Sequence, residues 1–432
     1  MTSTPTTQHW TLPGLQLSDI TLPVPLDHAL PTGAQIELFA RVITADGGEH
    51  RPYLVFLQGG PGSEAPRPLE ASSPGWLARA LREHRVVMLD QRGTGRSTPV
   101  GPDTALPEGA IPGAVTLREA TPSQQAQHLT RFRADAIVRD AELLREHLGA
   151  PTWSLLGQSF GGFTALRYLS AAAGSVETAL FTGGLPTVGP GMDEVYQATW
   201  QGMIGRSERY WARFPGDRDR FRRLADAADS GRLRLPDGQR VGVERLRRLG
   251  HLLGASQGAE RLHFLLDLDP AAPAFAHDLA AALPFGGRNP LYAVIHESCW
   301  ADGIATRWAA DRAQPRAVIE DPTLLAGEHI HRDLFAEDPE LSVWAEAADL
   351  LAEHEWPALY DEAALRAADV PGAAAVYYDD AYVPREYSMA TAALLPRLRT
   401  WVTSEYEHNG LRASGPVVLD HLLDLAAGRR AA

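Results

Sequence analysis

Short apolar runs alternate with amphipathic segments along the first 180 or so residues of the chain. Apolar runs bounded by polar or glycine-rich stretches predict strands, and apolar positions that recur every three or four residues predict helices. The predicted strands cover residues 35–43, 53–58, 85–90, 152–157 and 176–184, and the predicted helices cover residues 75–84, 123–148 and 162–174. Strands that alternate with helices are typical of a parallel sheet covered by helices.

A different pattern begins near residue 186 and continues to about residue 367. Arg-rich and Ala-rich helical segments dominate there, with few β-branched runs. The alternation then returns, with predicted strands at 373–378 and 397–406 and predicted helices at 388–397 and 415–428. The simplest interpretation is an α/β core made of residues 1–185 and 368–432, with a helical cap, residues 186–367, inserted between its two parts.

Composition and charge narrow the class of protein. Apolar residues make up 44% and charged residues 22% of the 432, which is ordinary for a globular protein. The net charge of −14 argues against a nucleic acid as partner, and no apolar run is long enough to cross a membrane. Cys299 is the single cysteine, so an internal disulfide is excluded. The polar N-terminus lacks the features of a secretion signal, and we expect a cytoplasmic protein whose oligomeric state the sequence does not specify.

The first chemical motif is Gly157-Gln158-Ser159-Phe160-Gly161, which fits the pattern G-x-S-x-G. A serine on a sharp turn between a strand and a helix is held in a strained conformation that only small neighbours permit. The pattern alone is weak, but here a predicted strand precedes it and a predicted helix follows it. We therefore expect Ser159 to be a nucleophile rather than an idle serine in a turn.

A serine nucleophile needs a histidine as base and an acid that orients the histidine. In this architecture these follow the serine in the order acid, then histidine, on loops after the last strands. Asp379 and Asp380 come directly after one predicted strand, and His408 comes after the next. We expect His408 to be the base and one of the two aspartates to be the acid, while the other could cap the following turn.

The same chemistry requires hydrogen-bond donors for the oxyanion of an acyl-transfer intermediate. One donor should be the backbone N–H of Phe160, directly after the nucleophile. The other should come from the loop after the strand 53–58, whose sequence is Gly59-Gly60-Pro61-Gly62. Its glycines let the backbone approach a substrate closely, and we assign this second donor to Gly60.

A metal site is the alternative that the histidines suggest. His329 with His331, and His296 with Cys299, are pairs that could ligate a metal. Neither pair belongs to a known metal-binding motif such as H-E-x-x-H or C-x-x-C. We therefore expect no metal and no other cofactor.

Several segments together resemble one enzyme family. In chain order they include "QGGPG" (58–62), "DQRGTGRS" (90–97), "GQSFGG" (157–162), "HESCWADG" (296–303), "AGEHI" (326–330), "YYDDAYV" (377–383) and "EYEHNGLR" (405–412). They are similar to those of the prolyl aminopeptidases, also called proline iminopeptidases, of the α/β-hydrolase fold, and fit the longer bacterial branch best. One departure is Gln58, where many relatives have histidine, but this position lies outside the predicted triad.

The resemblance implies roles for further residues. In shorter relatives the acid lies four residues before a proline, and counting back from Pro384 gives Asp380. Glutamates of the cap hold the amino end of the substrate in the family, and Glu297 and Glu328 are the best matches. Aromatic residues near them, Tyr292, Trp300 and Trp308, either line the pocket for the proline ring or pack in the core.

The sequence thus predicts a serine aminopeptidase that releases an N-terminal proline from peptides. Ser159, His408 and Asp380 would form its triad, and the reaction would pass through a prolyl-enzyme ester. Two alternatives stay open because fold and triad do not fix the substrate. One is an aminopeptidase of broader specificity or an esterase on the same scaffold, and the other is a non-catalytic binding protein.

Overall fold

A nine-stranded sheet forms the centre of the molecule in the computed structural model, which describes residues 4–189 and 191–431. Its order is β1-β2-β3-β5-β4-β6-β7-β8-β9. The strands are β1 (Thr6–Leu12), β2 (Leu15–Pro25), β3 (Gln35–Ala45), β4 (Tyr53–Leu57), β5 (Arg85–Leu89), β6 (Trp153–Gln158), β7 (Val176–Thr182), β8 (Gly372–Tyr377) and β9 (Leu398–Thr403).

Eighteen α-helices are present in the described residues. They are α1 (Leu77–Ala80), α2 (Pro122–Leu129), α3 (Ala134–His147), α4 (Phe160–Ala172), α5 (Met192–Arg213), α6 (Pro215–Asp229), α7 (Val243–Arg247), α8 (Gly258–Asp267), α9 (Pro273–Ala282), α10 (Leu291–Val294), α11 (Ala309–Arg312), α12 (Arg316–Glu320), α13 (Asp333–Glu337), α14 (Ala345–Ala352), α15 (Glu362–Ala367), α16 (Arg385–Ala392), α17 (Gly410–Ala413) and α18 (Gly415–Ala426).

The sheet is mostly parallel, as the sequence predicts. The strands from β5 through β4, β6, β7 and β8 to β9 pair in parallel, and β1, β2 and β3 add an antiparallel edge. Residues of the central strands β4 and β6 are buried on both faces, which explains their continuous apolar runs. The sequence analysis did not predict β1 or β2. Every residue of β1 except Leu12 is exposed, so this strand has no buried face and no apolar alternation to mark it.

The single helix predicted over residues 123–148 is wrong in one respect, because the chain breaks it in two. A 3-10 turn, Thr130–Phe132, and an extended Arg133 separate α2 from α3. The Arg133 guanidinium donates to the carbonyl oxygens of Ala301 and Pro357 and lies over the Trp356 ring. These contacts come from distant parts of the chain, and they hold Arg133 outside helical geometry.

The chain between β7 and β8 is helical in its described part and contributes no strand to the sheet. Buried residues of its helices α10, α11, α13, α14 and α15 belong to the main core cluster, whereas helices α5 to α9 pack around an apolar cluster that includes Trp211, Phe221 and Leu262. Phe160 and Phe163, at the start of α4, belong to the same cluster. The helical segment therefore packs directly onto the first turn of α4, next to Ser159.

The parallel strands β6, β8 and β9 bring their carboxyl ends to one edge of the sheet. In open α/β sheets ligands bind outside this edge. The helical segment packs against α4 on this side, so the loops after these strands lie between the sheet and the helices.

In the described residues no helix is both long enough and apolar enough to cross a membrane.

Candidate active site

Ser159 lies between β6 and α4 in a strained conformation, with φ of 54° and ψ of −126°. The two glycines of the motif are required by close approach of the backbone. A Cβ atom at Gly157 would come 2.5 Å from the Gly161 carbonyl oxygen, and one at Gly161 would come 1.8 Å from the Leu57 carbonyl oxygen. The Ser159 N–H donates to the Thr182 carbonyl oxygen of β7 at 3.1 Å, which fixes the turn to the sheet.

Three buried side chains from the ends of β6, β8 and β9 form a hydrogen-bonded chain. His408 Nε2 lies 2.9 Å from Ser159 Oγ, and His408 Nδ1 lies 2.8 Å from Asp380 Oδ2. The backbone N–H groups of Tyr382 and Val383 donate to Asp380 Oδ1 at 2.9 and 3.1 Å. The structure thus brings together Ser159, His408 and Asp380, and the backbone holds the Asp380 carboxylate in one orientation.

The structure distinguishes the two adjacent aspartates that the sequence left open before the resemblance was applied. Asp380 is buried and faces His408, whereas Asp379 is exposed. The carbonyl oxygen of Asp379, rather than its carboxylate, makes the local contact, accepting from Arg206. The geometry of a Ser-His-Asp arrangement is therefore complete with Asp380.

The surroundings of His408 raise the pKa of its imidazole above the ordinary value. Burial works against the charged imidazolium, but the negative charge and hydrogen bond of Asp380, helped by Glu328, outweigh burial and raise the pKa of His408. A higher pKa makes the imidazole a stronger proton acceptor. Toward acidic pH the ring is protonated and can no longer accept the Ser159 proton.

The glycine loop after β4 abuts the nucleophile. A Cβ atom at Gly59 would lie 3.0 Å from Ser159 Cβ, so only glycine lets the loop approach this closely. Gly60 has a φ of 128°, a conformation open to glycine and rare for other residues. Phe160 begins α4, and the first amides of a helix have no acceptor within the helix. The glycine loop and the first residue of α4, Phe160, therefore both lie next to Ser159.

Glu328 lies in the wall of a small cavity beside the triad. Other residues of that wall are Val195, Tyr196, Thr199, His296, Trp300, His329, Ala381 and Tyr382. The Tyr382 ring packs edge-on against the His408 ring at 5.0 Å between centroids, which connects the cavity to the base. Tyr292 Oη donates to Glu328 Oε1, and His251 Nε2 lies 3.7 Å from the same oxygen.

The carboxylate of Glu328 is held in its charged form. Burial alone would raise its pKa, but the nearby His251 imidazole and the positive potential of other histidines lower the pKa to about 2. Glu328 is therefore ionised at neutral pH. A charged carboxylate in a cavity lined by aromatic and imidazole rings is suited to a compact cation.

Glu297, the other glutamate expected at the amino end of the substrate, has different surroundings. Its Oε1 accepts the Ala310 N–H at 2.9 Å, at the start of α11. Burial raises the pKa of Glu297 to about 7. It lines a second small cavity, with Thr306 and Trp308, and not the cavity that contains Glu328. The two glutamates therefore line different cavities.

The other predicted candidates divide in the same way. Tyr292 contacts Glu328, and Trp300 lines the same cavity, but Trp308 lies beside Glu297. His329 stacks on Trp200 at 3.7 Å and lies 3.0 Å from Thr199 Oγ1. Within residues 4–189 and 191–431, no group of three or more potential metal ligands is close enough to hold an ion.

Two residues of the helical segment near Ser159, His408 and Asp380 were not predicted from the sequence. His251 lies beside Glu328, and Arg206 contacts the loops that carry Asp380 and His408. Both belong to Arg-rich helical segments in which nothing local distinguishes them from exposed neighbours. Their contacts are to residues far away in the chain, so a single sequence offers no signal for them.

The chain is similar in sequence to known hydrolases. A family model described as the alpha/beta hydrolase fold matches residues 52–234. A proline iminopeptidase of Aeromonas sobria is 42% identical over 96% of this chain and 98% of that protein, and one of Aspergillus aculeatus is 32% identical over 94% and 92%. The solved structure of a proline iminopeptidase-related protein from Thermus thermophilus is 16% identical, with a TM-score of 0.40, and covers 94% of this chain and 99% of that one.

Proposed function

The chain belongs to the proline iminopeptidase family of α/β hydrolases, and from this we propose that it releases N-terminal proline from peptides with Ser159, His408 and Asp380 as its catalytic triad. The observation that carries the proposal is the buried hydrogen-bonded chain from Asp380 through His408 to Ser159 Oγ, with the last contact at 2.9 Å. This row of hydrogen bonds ends at a serine on a strained turn, as nucleophilic acyl transfer requires.

The first half of the reaction acylates Ser159. His408 Nε2 takes the hydroxyl proton while Ser159 Oγ attacks the carbonyl carbon of the N-terminal proline. The Gly60 and Phe160 N–H groups donate to the oxyanion that forms on the carbonyl oxygen. The intermediate collapses when His408 gives its proton to the leaving amine, and the shortened peptide departs with a free amino group.

The second half releases proline. A water molecule, deprotonated by His408, attacks the prolyl ester on Ser159 through a second oxyanion at the same donors. Collapse of that intermediate returns the proton to Ser159 Oγ. Asp380 stabilises the imidazolium in both halves and keeps Nδ1 protonated, so that Nε2 faces the serine. No step needs a metal or an organic cofactor.

Selection of an N-terminal proline is assigned to the cavity beside the triad. The secondary ammonium of the proline would pair with the Glu328 carboxylate, whose pKa of about 2 keeps it charged. The side chains of Trp300, Tyr196 and Tyr382 would pack around the ring. Because the wall of the cavity would enclose the ammonium beside Glu328, no residue could precede the proline, and the activity would be that of an exopeptidase. Glu297 was also expected to bind the amino end, but its bond to the Ala310 N–H favours a role in capping α11.

A panel of aminoacyl naphthylamides tests this proposal. Proline, alanine and leucine naphthylamides and a simple acyl ester would be assayed with the wild type and with Ser159→Ala. We expect the highest kcat/KM for proline naphthylamide, and loss of all turnover in the variant. Rapid ester turnover without cleavage of proline naphthylamide would favour an esterase. Absence of all turnover, with no labelling of the folded protein by a fluorophosphonate, would rule out a serine hydrolase.

A further inference from the structure

One arginine of the cap contacts both loops that carry the acid and the base. Arg206, in α5, is only 5% exposed. Its Nη2 donates to the Asp379 carbonyl oxygen and lies 2.5 Å from Glu407 Oε2, and its Nη1 donates to the Leu253 carbonyl oxygen at 2.8 Å. Asp379 and Glu407 are the immediate chain neighbours of Asp380 and His408.

The chemistry of the guanidinium suits it to this position. The group is planar, stays charged and presents donors in fixed directions, so it can hold several acceptors in one relative geometry. Burial disfavours the charge, but the ion pair with Glu407 and the charge of Asp380 outweigh burial and raise the pKa of Arg206. A lysine would keep the charge but present it as a point, without the fork.

A second set of contacts ties the same part of the cap to the same loops. The Ser256 N–H donates to Asn409 Oδ1 at 2.8 Å, next to His408. Tyr382 Oη, two residues after Asp380, donates to the His251 carbonyl oxygen at 2.6 Å. Arg206 bonds to Leu253 in the middle of this segment. The cap segment 251–256 and the two loops are thus connected at three points, and the Arg206 guanidinium contacts all three pieces of chain.

We propose that Arg206 is a positioning residue: it holds the loops of Asp380 and His408 in the register that aims His408 at Ser159, and it couples this register to the cap. The proposal rests on the proposed triad. Asp380 and His408 lie on loops after different strands, and a relative shift of the two would change both hydrogen bonds of the imidazole. A misplacement of about 1 Å can cost roughly 100-fold in rate.

The test measures the rate at which a fluorophosphonate labels Ser159 in Arg206→Met, Glu407→Gln, the double variant and Arg206→Lys. Rates are expressed per folded chain, with folding checked by near-ultraviolet circular dichroism. In each single variant, we expect the labelling rate and kcat for proline naphthylamide to fall by the same factor as each other. This factor should be on the order of 10- to 100-fold, with little change in KM. The double variant should be no slower than Arg206→Met, because that substitution already removes the contact with Glu407.

Matched variants separate positioning from charge and from general stability. Arg213→Met removes an ion pair with Glu260 from the same helix at an exposed site and should leave the labelling rate unchanged. Arg206→Lys should be nearly as slow as Arg206→Met, because charge without the fork does not hold the loops. Glu407 is 37% exposed, so Glu407→Gln tests the contact even if Arg206→Met does not fold.

Two results would overturn the proposal. One is a wild-type labelling rate per folded chain in both Arg206→Met and Glu407→Gln. The other is full activity in Arg206→Lys, which would mean that charge alone matters. Fluorophosphonate labelling needs no proline, so a wrong substrate assignment would appear separately, as normal labelling without turnover of proline naphthylamide.

Discussion

Replacing Glu328 by glutamine tests how the substrate is selected. The change keeps the shape of the side chain and an oxygen that can accept a hydrogen bond, and it removes the negative charge. Glu328 has a side-chain exposure of 17% and a pKa of about 2, so the wild type presents a largely buried charge to the substrate ammonium. The variant would leave that ammonium in the same cavity without its counter-charge.

The size of the effect follows from the burial of this pair. Removing one partner of a buried ion pair costs about 3–5 kcal/mol. The lower end applies here, because Glu328 keeps some exposure and the glutamine oxygen still accepts one bond. Since about 1.4 kcal/mol corresponds to a factor of ten, kcat/KM for proline naphthylamide should fall by roughly 100- to 1,000-fold. Most of the loss should appear in KM, because the ammonium is held equally in the bound substrate and in the transition state.

The assay compares kcat/KM for proline naphthylamide with the rate of fluorophosphonate labelling, in wild type, Glu328→Gln and Glu297→Gln. Labelling should change only a few-fold in Glu328→Gln, because the triad is intact. Glu297→Gln is the matched control, since its carboxylate bonds to a backbone amide in the other cavity. Equal loss of turnover and labelling in Glu328→Gln would refute a role in recognition. A selective loss in Glu297→Gln instead would assign the amino end to Glu297.

Three further predictions concern the proposed triad and Glu297. Asp380→Asn should lower kcat by roughly 10⁴-fold, because the amide cannot hold the imidazole in its reactive tautomer, whereas exposed Asp379→Asn should stay within a few-fold in the same assay. Labelling of Ser159 should rise with pH through a midpoint above 6.5, because Asp380 and Glu328 raise the pKa of His408, and the midpoint should move lower in Glu328→Gln; an unmoved midpoint would contradict the electrostatic link. Burial raises the pKa of Glu297 from 4.5 to about 7, so the folded state favours its protonated form and loses stability as pH rises through this interval. Urea titrations would measure the free energy of unfolding of the wild type and of Glu297→Gln. Relative to the wild type, the variant should become more stable by up to about 3 kcal/mol between about pH 4.5 and 7. A difference that stays constant with pH would refute the raised pKa of Glu297.

The parts that the sequence predicted well are those with a local cause. The buried strands β4 and β6 have continuous apolar runs, and the turn at Ser159 needs glycines at fixed spacing because backbone atoms pack against them. Asp380 and His408 follow the parallel neighbouring strands β8 and β9, and the carboxyl ends of such strands lie at the same edge of a sheet. These features could be predicted because one segment, or the order of segments, determines them.

The parts that were missed depend on contacts between distant segments. The break at Arg133 is held by carbonyl oxygens near residues 301 and 357, and without those partners the segment 123–148 has the pattern of one helix. Glu297 and Glu328 are both cap glutamates beside aromatic residues in the sequence. What separates them is the Ala310 N–H on one and the Tyr292 hydroxyl on the other. Arg206 and His251 have no local signal at all.

Titration of the protein with a fluorophosphonate tests the central claim, that Ser159 is the nucleophile of a prolyl aminopeptidase, most directly. Proline release from a peptide with N-terminal proline would be measured against the number of labels per chain, with the labelled residue identified by mass spectrometry. We expect activity to fall linearly with labelling and to reach zero at one label per chain, on Ser159. Proline release that persists when Ser159 is fully labelled would contradict it.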